Sequence, residues 1–398
     1  MLIIQETRSD ERGSLSFLSK ILSKILVFVL LLAFLGVGLE TARAQTGWVR
    51  SSSNPVLSPG STGWDSREVL IPRLYYDESK YEMWYSGDNG KGFNTVGFSI
   101  GYATSTDGIS WTKNPNPVLM PGAAGSWDSE QVSAGFVLKN ASAYLLWYAG
   151  DQKKPDGTCC VYGVGLARSA DGISWNKYAG NPVLTPDANR PYITEPWVLL
   201  VDGQFKMWYA CGDRAGFLVA ICFATSPDGI HWSKNASPVF RGTGGTNDWD
   251  GGPVYSPNVI YEGTAYGMWY SGTNSAGTKY QVGYATSSDG ITWTRASGNP
   301  ILGPSPISGA WDSYDSVDNQ GILQVGGSFM LYYSADQLSS SGKYVSYKIG
   351  LAQSPVGFVL PEFHDFGISI MLPVLFIFSM IAINSHRKRL SIPTSEHT

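Results

Sequence analysis

Asp107-Gly108-Ile109-Ser110-Trp111 returns as Asp171-Gly172-Ile173-Ser174-Trp175, as Asp228-Gly229-Ile230-His231-Trp232 and as Asp289-Gly290-Ile291-Thr292-Trp293. The Asp residues lie 64, 57 and 61 positions apart, which sets a repeat of about sixty residues. A period of that length, filled with strand-like sequence, is a propeller blade rather than a solenoid turn. Two further phrases keep the same register. Asn54-Pro55-Val56-Leu57 recurs at Asn116 to Leu119, Asn181 to Leu184, Ser237 to Phe240 and Asn299 to Leu302. Met83-Trp84-Tyr85 recurs as Leu146-Trp147-Tyr148, Met207-Trp208-Tyr209, Met268-Trp269-Tyr270 and Leu331-Tyr332-Tyr333. Both occur five times, so the chain holds five units.

Within each unit the local signals are those of β structure. Tyr81 to Tyr85, Val96 to Ala103 and Tyr280 to Ala285 are rich in aromatic and β-branched residues, and Gly, Asn, Asp and Ser clusters separate them. Asp-Gly supplies the positive φ of a tight turn between antiparallel strands, and the Trp after it is free to pack between sheets. Four strands per unit are expected: an inner one near Val69 to Tyr75, one through Met83-Trp84-Tyr85, one through Gly101-Tyr102-Ala103 and an outer one at Trp111. No stretch of ten residues in the repeat region sustains a helical period. The expected fold is therefore all-β, a five-bladed propeller with four-stranded antiparallel blades. Its units span about 54–115, 116–180, 181–236, 237–298 and 299–358, within a domain of residues 45–358. The fifth unit ends on a shortened Ser354-Pro355-Val356-Gly357-Phe358, whereas Gly47-Trp48-Val49-Arg50 precedes the first Asn-Pro-Val-Leu. Residues around Trp48 are thus expected to supply the outer strand of the fifth blade and close the ring.

The flanks read as address labels. Residues 1–44 combine early Arg and Lys, an apolar run from Ile25 to Leu39 and a small-x-small site at Ala42-Arg43-Ala44, the pattern of a secretory signal. Residues 359–366 form a linker. Residues 367–384 are an apolar run long enough to cross a bilayer as one transmembrane helix. His386-Arg387-Lys388-Arg389, in a tail of residues 385–398, should stay in the cytoplasm and leave the propeller outside. The balance of 28 basic against 32 acidic residues gives no basic field for nucleic acid. Charged residues are 15% of the chain and aromatic ones 13%, a ratio that suits blade packing first and sugar stacking second. Four cysteines in an exported chain can form disulfides. Cys211 and Cys222 lie on strands expected to be consecutive and antiparallel, while the pairing of adjacent Cys159 and Cys160 stays open. Asn140-Ala141-Ser142 is a glycosylation sequon. No cofactor or metal is expected, and the protein is expected to be a monomer.

In a repeat protein, residues common to all blades hold the blade, and the exceptions are candidates for function. The repeated Asp107, Asp171, Asp228 and Asp289 are turn residues by that test. Trp64-Asp65, Trp127-Asp128, Trp249-Asp250 and Trp311-Asp312 recur at the entry to the inner strand, and the third unit lacks the pair. It reads instead Arg190-Pro191-Tyr192-Ile193-Thr194-Glu195-Pro196-Trp197-Val198. Alignment on the Met-Trp-Tyr phrases sets Glu195 opposite Ile71, Ala134, Ser256 and Asn319, the sole carboxylate in that row. A charge there has to face the axis or a buried partner such as Arg190 or Arg73.

Together the three phrases resemble the five-bladed propellers of the arabinanase, levansucrase and invertase superfamily, which includes glycoside hydrolase families 43 and 32. The resemblance covers about residues 46–358. It implies acidic residues on successive inner strands and a general-acid Glu on the third blade beside Gly or Pro, which Glu195-Pro196 matches. Glycoside cleavage needs a second carboxylate. The resemblance sets the base Asp on the first inner strand, where this chain has Leu70-Ile71-Pro72-Arg73, and another Asp where it has Ser133-Ala134-Gly135-Phe136. Asp65 and Glu68 are the substitutes nearest the first position, with Glu130, Asp315 and Asp318 as further acids. Arg73, Trp197, Asn258 and Asp318 are candidate substrate contacts, Trp197 also as the apolar neighbour that raises the acid's pKa. The Asp-Gly phrase is also close to the Asp-box of sialidases but one residue shorter. Pro361-Glu362-Phe363 with the helix and basic tail resembles archaeal C-terminal sorting signals, which implies a sorting protease as partner. Two functions follow as expectations: an envelope-attached extracellular glycosidase with Glu195 as acid, or a propeller that binds glycans or proteins without turnover.

Overall fold

The computed structural model describes residues 47–90, 97–140, 143–153, 161–188, 190–212, 219–338 and 344–354. The expected signal segment, Ala141 and Ser142 of the sequon, Cys159 and Cys160, the Pro361-Glu362-Phe363 motif and the expected anchor helix lie outside them. Among the described residues no helix is long and apolar enough to cross a membrane.

Among the described residues twenty strands make five four-stranded antiparallel sheets. In chain order, β1 (Val49–Arg50) precedes the first blade, which is β2 (Glu68–Tyr76), β3 (Tyr81–Asp88), β4 (Ser99–Ser105) and β5 (Thr112–Lys113). The second blade is β6 (Gln131–Lys139), β7 (Tyr144–Gln152), β8 (Val161–Ser169) and β9 (Asn176–Lys177). The third is β10 (Tyr192–Val201), β11 (Gln204–Gly212), β12 (Ala220–Ser226) and β13 (Ser233–Lys234). The fourth is β14 (Val254–Tyr261), β15 (Tyr266–Thr273), β16 (Tyr280–Ser287) and β17 (Thr294–Arg295). The fifth is β18 (Val317–Val325), β19 (Ser328–Leu338) and β20 (Tyr344–Gln353), completed by β1. Closure is thus as expected, with Val49 opposite Gln353 and Arg50 opposite Ala352. The outer strands begin one residue later than the sequence reading set them, at Thr112 rather than Trp111, because the Trp is a wedge and not a ladder residue. Inner strands β2, β6, β10, β14 and β18 neighbour one another around the ring.

Each repeated phrase has a mechanical task. In the first turn Asp107 Oδ1 accepts the Ile109 and Ser110 amides at 2.8 and 2.7 Å, and Gly108 takes φ 72°. Those amides hold the Asp107 carboxyl well below its ordinary range. The turn's carbonyl then ties the preceding blade: Trp84 Nε1 donates to the Gly172 carbonyl at 2.8 Å, Trp147 to Gly229 at 2.9 Å and Trp208 to Gly290 at 2.7 Å. Tyr332 of the fifth blade donates to the Gly108 carbonyl at 2.7 Å and ties the last blade to the first. The Trp of each turn stands edge-on to the same residue, as Trp175 does to Trp84 with ring centroids 6.3 Å apart. The Asn-Pro-Val-Leu phrase packs backward: Leu57 bridges Ile349, and Asn54 exchanges two hydrogen bonds with Leu351.

The third blade solves one packing problem differently. In the others a Trp indole lies over the third strand, so close that a Cβ on Gly101, Gly165, Gly283 or Gly350 would come within 2.5–2.7 Å of Trp64, Trp127, Trp249 or Trp311. Only glycine fits beneath it. The third blade lacks the Trp, and the matching residue opposite Tyr209 is Cys222. Cys211, in the row of Gly87, Gly150 and Gly272, is bonded to it, with a Cα–Cα distance of 5.9 Å. The expected cross-strand bridge is therefore present, and its two sulfurs stand in for an indole.

Candidate functional site

All five inner strands carry a β-bulge at the same register. The shifts fall between Leu70 and Arg73, Ser133 and Phe136, Thr194 and Trp197, Tyr255 and Asn258, and Asp318 and Gly321. The first bulged residue is Ile71, Ala134, Glu195, Ser256 or Asn319, so the sequence alignment of Glu195 with these residues holds in three dimensions. Ile71, Glu195 and Ser256 sit at φ 55°, 52° and 50°. Side chains other than glycine rarely adopt this conformation, and surrounding structure has to hold them there. Following Pro72, Pro196 and Pro257 exclude the α-helical conformation at these residues but not strain.

Hydrogen bonds between blades do the holding. The Ile71 amide donates to Ser334 Oγ at 3.0 Å and the Ala134 amide to Ser86 Oγ at 2.9 Å. Between the third and fourth blades Ala210 stands where the serine would be, and Glu195 Oε2 takes its task, accepting the Ser256 amide at 2.8 Å.

Glu195 is 9% exposed. Burial pushes its carboxyl up to about 7, and the Asp318 charge adds to the rise. Arg73 and the Ser256 amide act in the opposite direction. Asp318, on the fifth inner strand, is 4% exposed and accepts the Tyr255 hydroxyl at 2.7 Å. Burial and this carboxylate drive the Tyr255 hydroxyl far above its ordinary range. Arg73 is 1% exposed, and burial brings it down to about 10. Its Nη1 donates to the Pro72 and Gln320 carbonyls at 3.1 and 2.9 Å. Its Cζ lies 5.9 Å from the Trp197 ring centroid, so the guanidinium spans from the first blade to the third. Arg190 is turned away, donating to the Asn235 and Ala236 carbonyls at 2.9 and 3.1 Å.

The structure thus brings Glu195, Asp318 and Arg73 into one electrostatic group and leaves the other candidates elsewhere. Asp65 accepts the Tyr85 hydroxyl at 2.9 Å and Lys113 Nζ at 2.6 Å. Asp128, Asp250 and Asp312 make the same contacts with Tyr148 and Lys177, Tyr270 and Arg295, and Tyr333 and Arg50. Four copies of one arrangement describe scaffold. Glu68 begins the first inner strand, opposite Asp88, and burial plus that neighbour push it up to about 7. It is not among the charges that act on Glu195. Trp197 is 5% exposed, donates its indole N–H to the Val259 carbonyl at 2.7 Å and packs on Phe136. It can seal the floor under Glu195 but cannot stack on a ligand. Asn258 is fully buried and donates to the Ser256 carbonyl at 3.0 Å.

Four residues escape the sequence reading. Asp151, on the second strand of the second blade, is pushed up to about 6 by burial. Tyr192, on the strand of Glu195, lies within electrostatic reach of both acids. Ser256 and Gln320 organise the floor. Gln320 alone had a signal, as the one residue in the row Pro72, Gly135, Pro196, Pro257 that is neither Pro nor Gly.

Residues 72–250 match the N-terminal domain of the glycosyl hydrolases family 32. The chain is 27% identical over 292 residues to the uncharacterized protein Rv1502 of Mycobacterium tuberculosis, a stretch covering 71% of this chain and 93% of that one. It is 30% identical over 127 residues to a 1,2-beta-oligomannan phosphorylase of Thermoanaerobacter sp., covering 30% of this chain and 41% of the enzyme. A solved glycoside hydrolase superposes with a TM-score of 0.63 at 18% identity, over 80% of this chain and 94% of its own. The fold is that of a glycoside hydrolase-like propeller.

Proposed function

We propose that this chain is a carbohydrate-active propeller that cleaves a glycosidic bond at its axis, with Glu195 as general acid and Asp318 as the second carboxylate. One observation carries the reading: Glu195, buried and pushed up to about 7, shares its field with a second buried carboxylate from another inner strand. Two acids with environments this different suit acid and base roles, because one holds its proton near neutral pH while the other is served by a hydroxyl donor. The Ser256 amide occupies Oε2, so the proton of the neutral acid belongs on Oε1. The phosphorylase relative makes β-1,2-linked mannosides the first substrate class to try, with and without inorganic phosphate. The sequence reading adds export by residues 1–44 and an anchor at residues 367–384, which would keep the propeller on the outer surface.

A second reading has its own support. The Glu195 carboxylate does for Ser256 what two serine hydroxyls do for Ile71 and Ala134, a scaffold task. On that reading the axis binds glycan without turnover.

The test is a panel of aryl glycosides and β-1,2-mannobiose with the 45–360 fragment and its Glu195→Gln variant. Glutamine keeps an oxygen for the Ser256 amide, so the fold should survive. Loss of at least about a hundredfold in kcat with glycan binding retained is expected. Hydrolysis indifferent to the substitution overturns the assignment, and binding without any turnover by the parent protein favours the second reading.

A further inference from the structure

Gln320 fills the second bulge position of the fifth blade, where the other blades have Pro72, Gly135, Pro196 and Pro257. None of those four has a side chain able to hydrogen-bond. Gln320 uses both side-chain polar atoms: Oε1 accepts Ser271 Oγ at 2.8 Å, and Nε2 donates to the Ser256 carbonyl at 2.8 Å. It is completely buried, so it meets no substrate. The same Ser256 carbonyl takes a second hydrogen bond from Asn258 Nδ2 at 3.0 Å. Two donors on one carbonyl fix the orientation of that peptide. They help hold Ser256 at φ 50°, a conformation that residues other than glycine rarely adopt. On the other side of the same residue, the N–H is thereby delivered to Glu195 Oε2 at 2.8 Å.

We propose that Gln320 is a positioning residue for Glu195, acting through Ser256 to select which carboxyl oxygen carries the proton. The catalytic meaning rests on Glu195 being the acid, whereas the positioning is a property of the free protein. The charged and titratable groups facing Glu195 are Arg73 from β2, Asp318 from β18, Tyr255 from β14 and Tyr192 on its own strand. Gln320→Met changes none of these charges, and it retains the backbone carbonyl that Arg73 binds. Any change in Glu195 titration then reports the Ser256 N–H alone. Losing that bond removes a stabiliser of the carboxylate, so the midpoint has to rise.

The measurement is the infrared band of the protonated carboxyl across pH, taken as wild type minus Glu195→Gln, repeated in the Gln320→Met background. The expected result is a midpoint about one unit above that of the wild type. On whichever aryl glycoside the wild type hydrolyses, kcat should fall roughly tenfold to a hundredfold with KM within about threefold. If Gln320→Met does not fold, Ser271→Ala loosens the same amide and should move the midpoint the same way by less. An unmoved midpoint, or a change confined to thermal stability, overturns the proposal. A shifted midpoint in a protein that hydrolyses nothing upholds the positioning and removes the catalytic reading of Glu195, so the two failures are distinguishable.

Discussion

Glu195 is held where a carboxylate is costly, nearly buried, next to a proline and in a backbone conformation that a non-glycine residue avoids. Its environment sets a clear pH signature. The acid has to be protonated, so hydrolysis should fall on the alkaline side with a midpoint near 7, and Asp318→Asn should lower kcat/KM across the whole pH range. A pH–rate profile of kcat/KM checks both. Arg73→Met should raise the alkaline midpoint, because the guanidinium favours the ionised form of Glu195, and a lowered or unchanged midpoint would contradict the electrostatic grouping. Trp197 shows how burial redirects a residue. It was a candidate platform by its position beside the acid, yet its ring lies against Phe136 and its N–H is spent on the Val259 carbonyl.

At the scale of the blade, each unit is built from one set of contacts, and the exceptions are compensated locally. Asp128→Ala would leave Tyr148 and Lys177 without their shared acceptor, at a cost of about 3 kcal/mol in a denaturant titration. The third blade replaces indole by disulfide, and Ile193, two residues before Glu195, pairs directly with Cys211. Cys211→Ala with Cys222→Ala should therefore cost about 2–4 kcal/mol through the lost cross-link, with more from the unfilled volume. Limited proteolysis should locate the loosening in the third blade. Equal cleavage across all blades would argue against the substitution of bridge for wedge.

At the scale of the ring, stability depends on joining the ends. Arg50 donates from β1 to Asp312 at 2.7 Å, repeating in trans the ion pair that Lys113, Lys177 and Arg295 make within the chain's other blades. Deleting residues up to 52 should lower the melting temperature and broaden the transition, because Asp312 loses its Arg50 ion pair, the Tyr333 ring loses the Arg50 guanidinium and the Leu351 carbonyl loses the Ser51 amide. The buried acids add a pH dependence of definite sign. Glu195 and Glu68 at about 7 and Asp151 at about 6 bind protons more tightly folded than unfolded. Their contribution is complete below the ordinary carboxylate range and declines as pH rises through about 6–7. Thermal melts of the parent protein should fall between pH 5 and pH 8, and Glu195→Gln should flatten part of that slope.

The repeat by itself determined the architecture: the blade count, the strand order, the tie between the ends and the row in which Glu195 stands alone. Those follow from local rules, since Asp-Gly turns, alternating aromatics and a fixed period act over a few residues and recur often enough to be counted. Only the tertiary structure decided which acids share a field. Asp65 and Glu68 are near the expected base position in sequence, but Asp65 faces Tyr85 and Lys113, and Glu68 faces Asp88. Asp318, more than a hundred residues from Glu195, reaches it because five inner strands meet at one axis. Ser256 and Gln320 carry no chemistry as residue types. Their part arises from a bulge that turns one peptide toward a carboxyl, a relation between blades that no single unit contains.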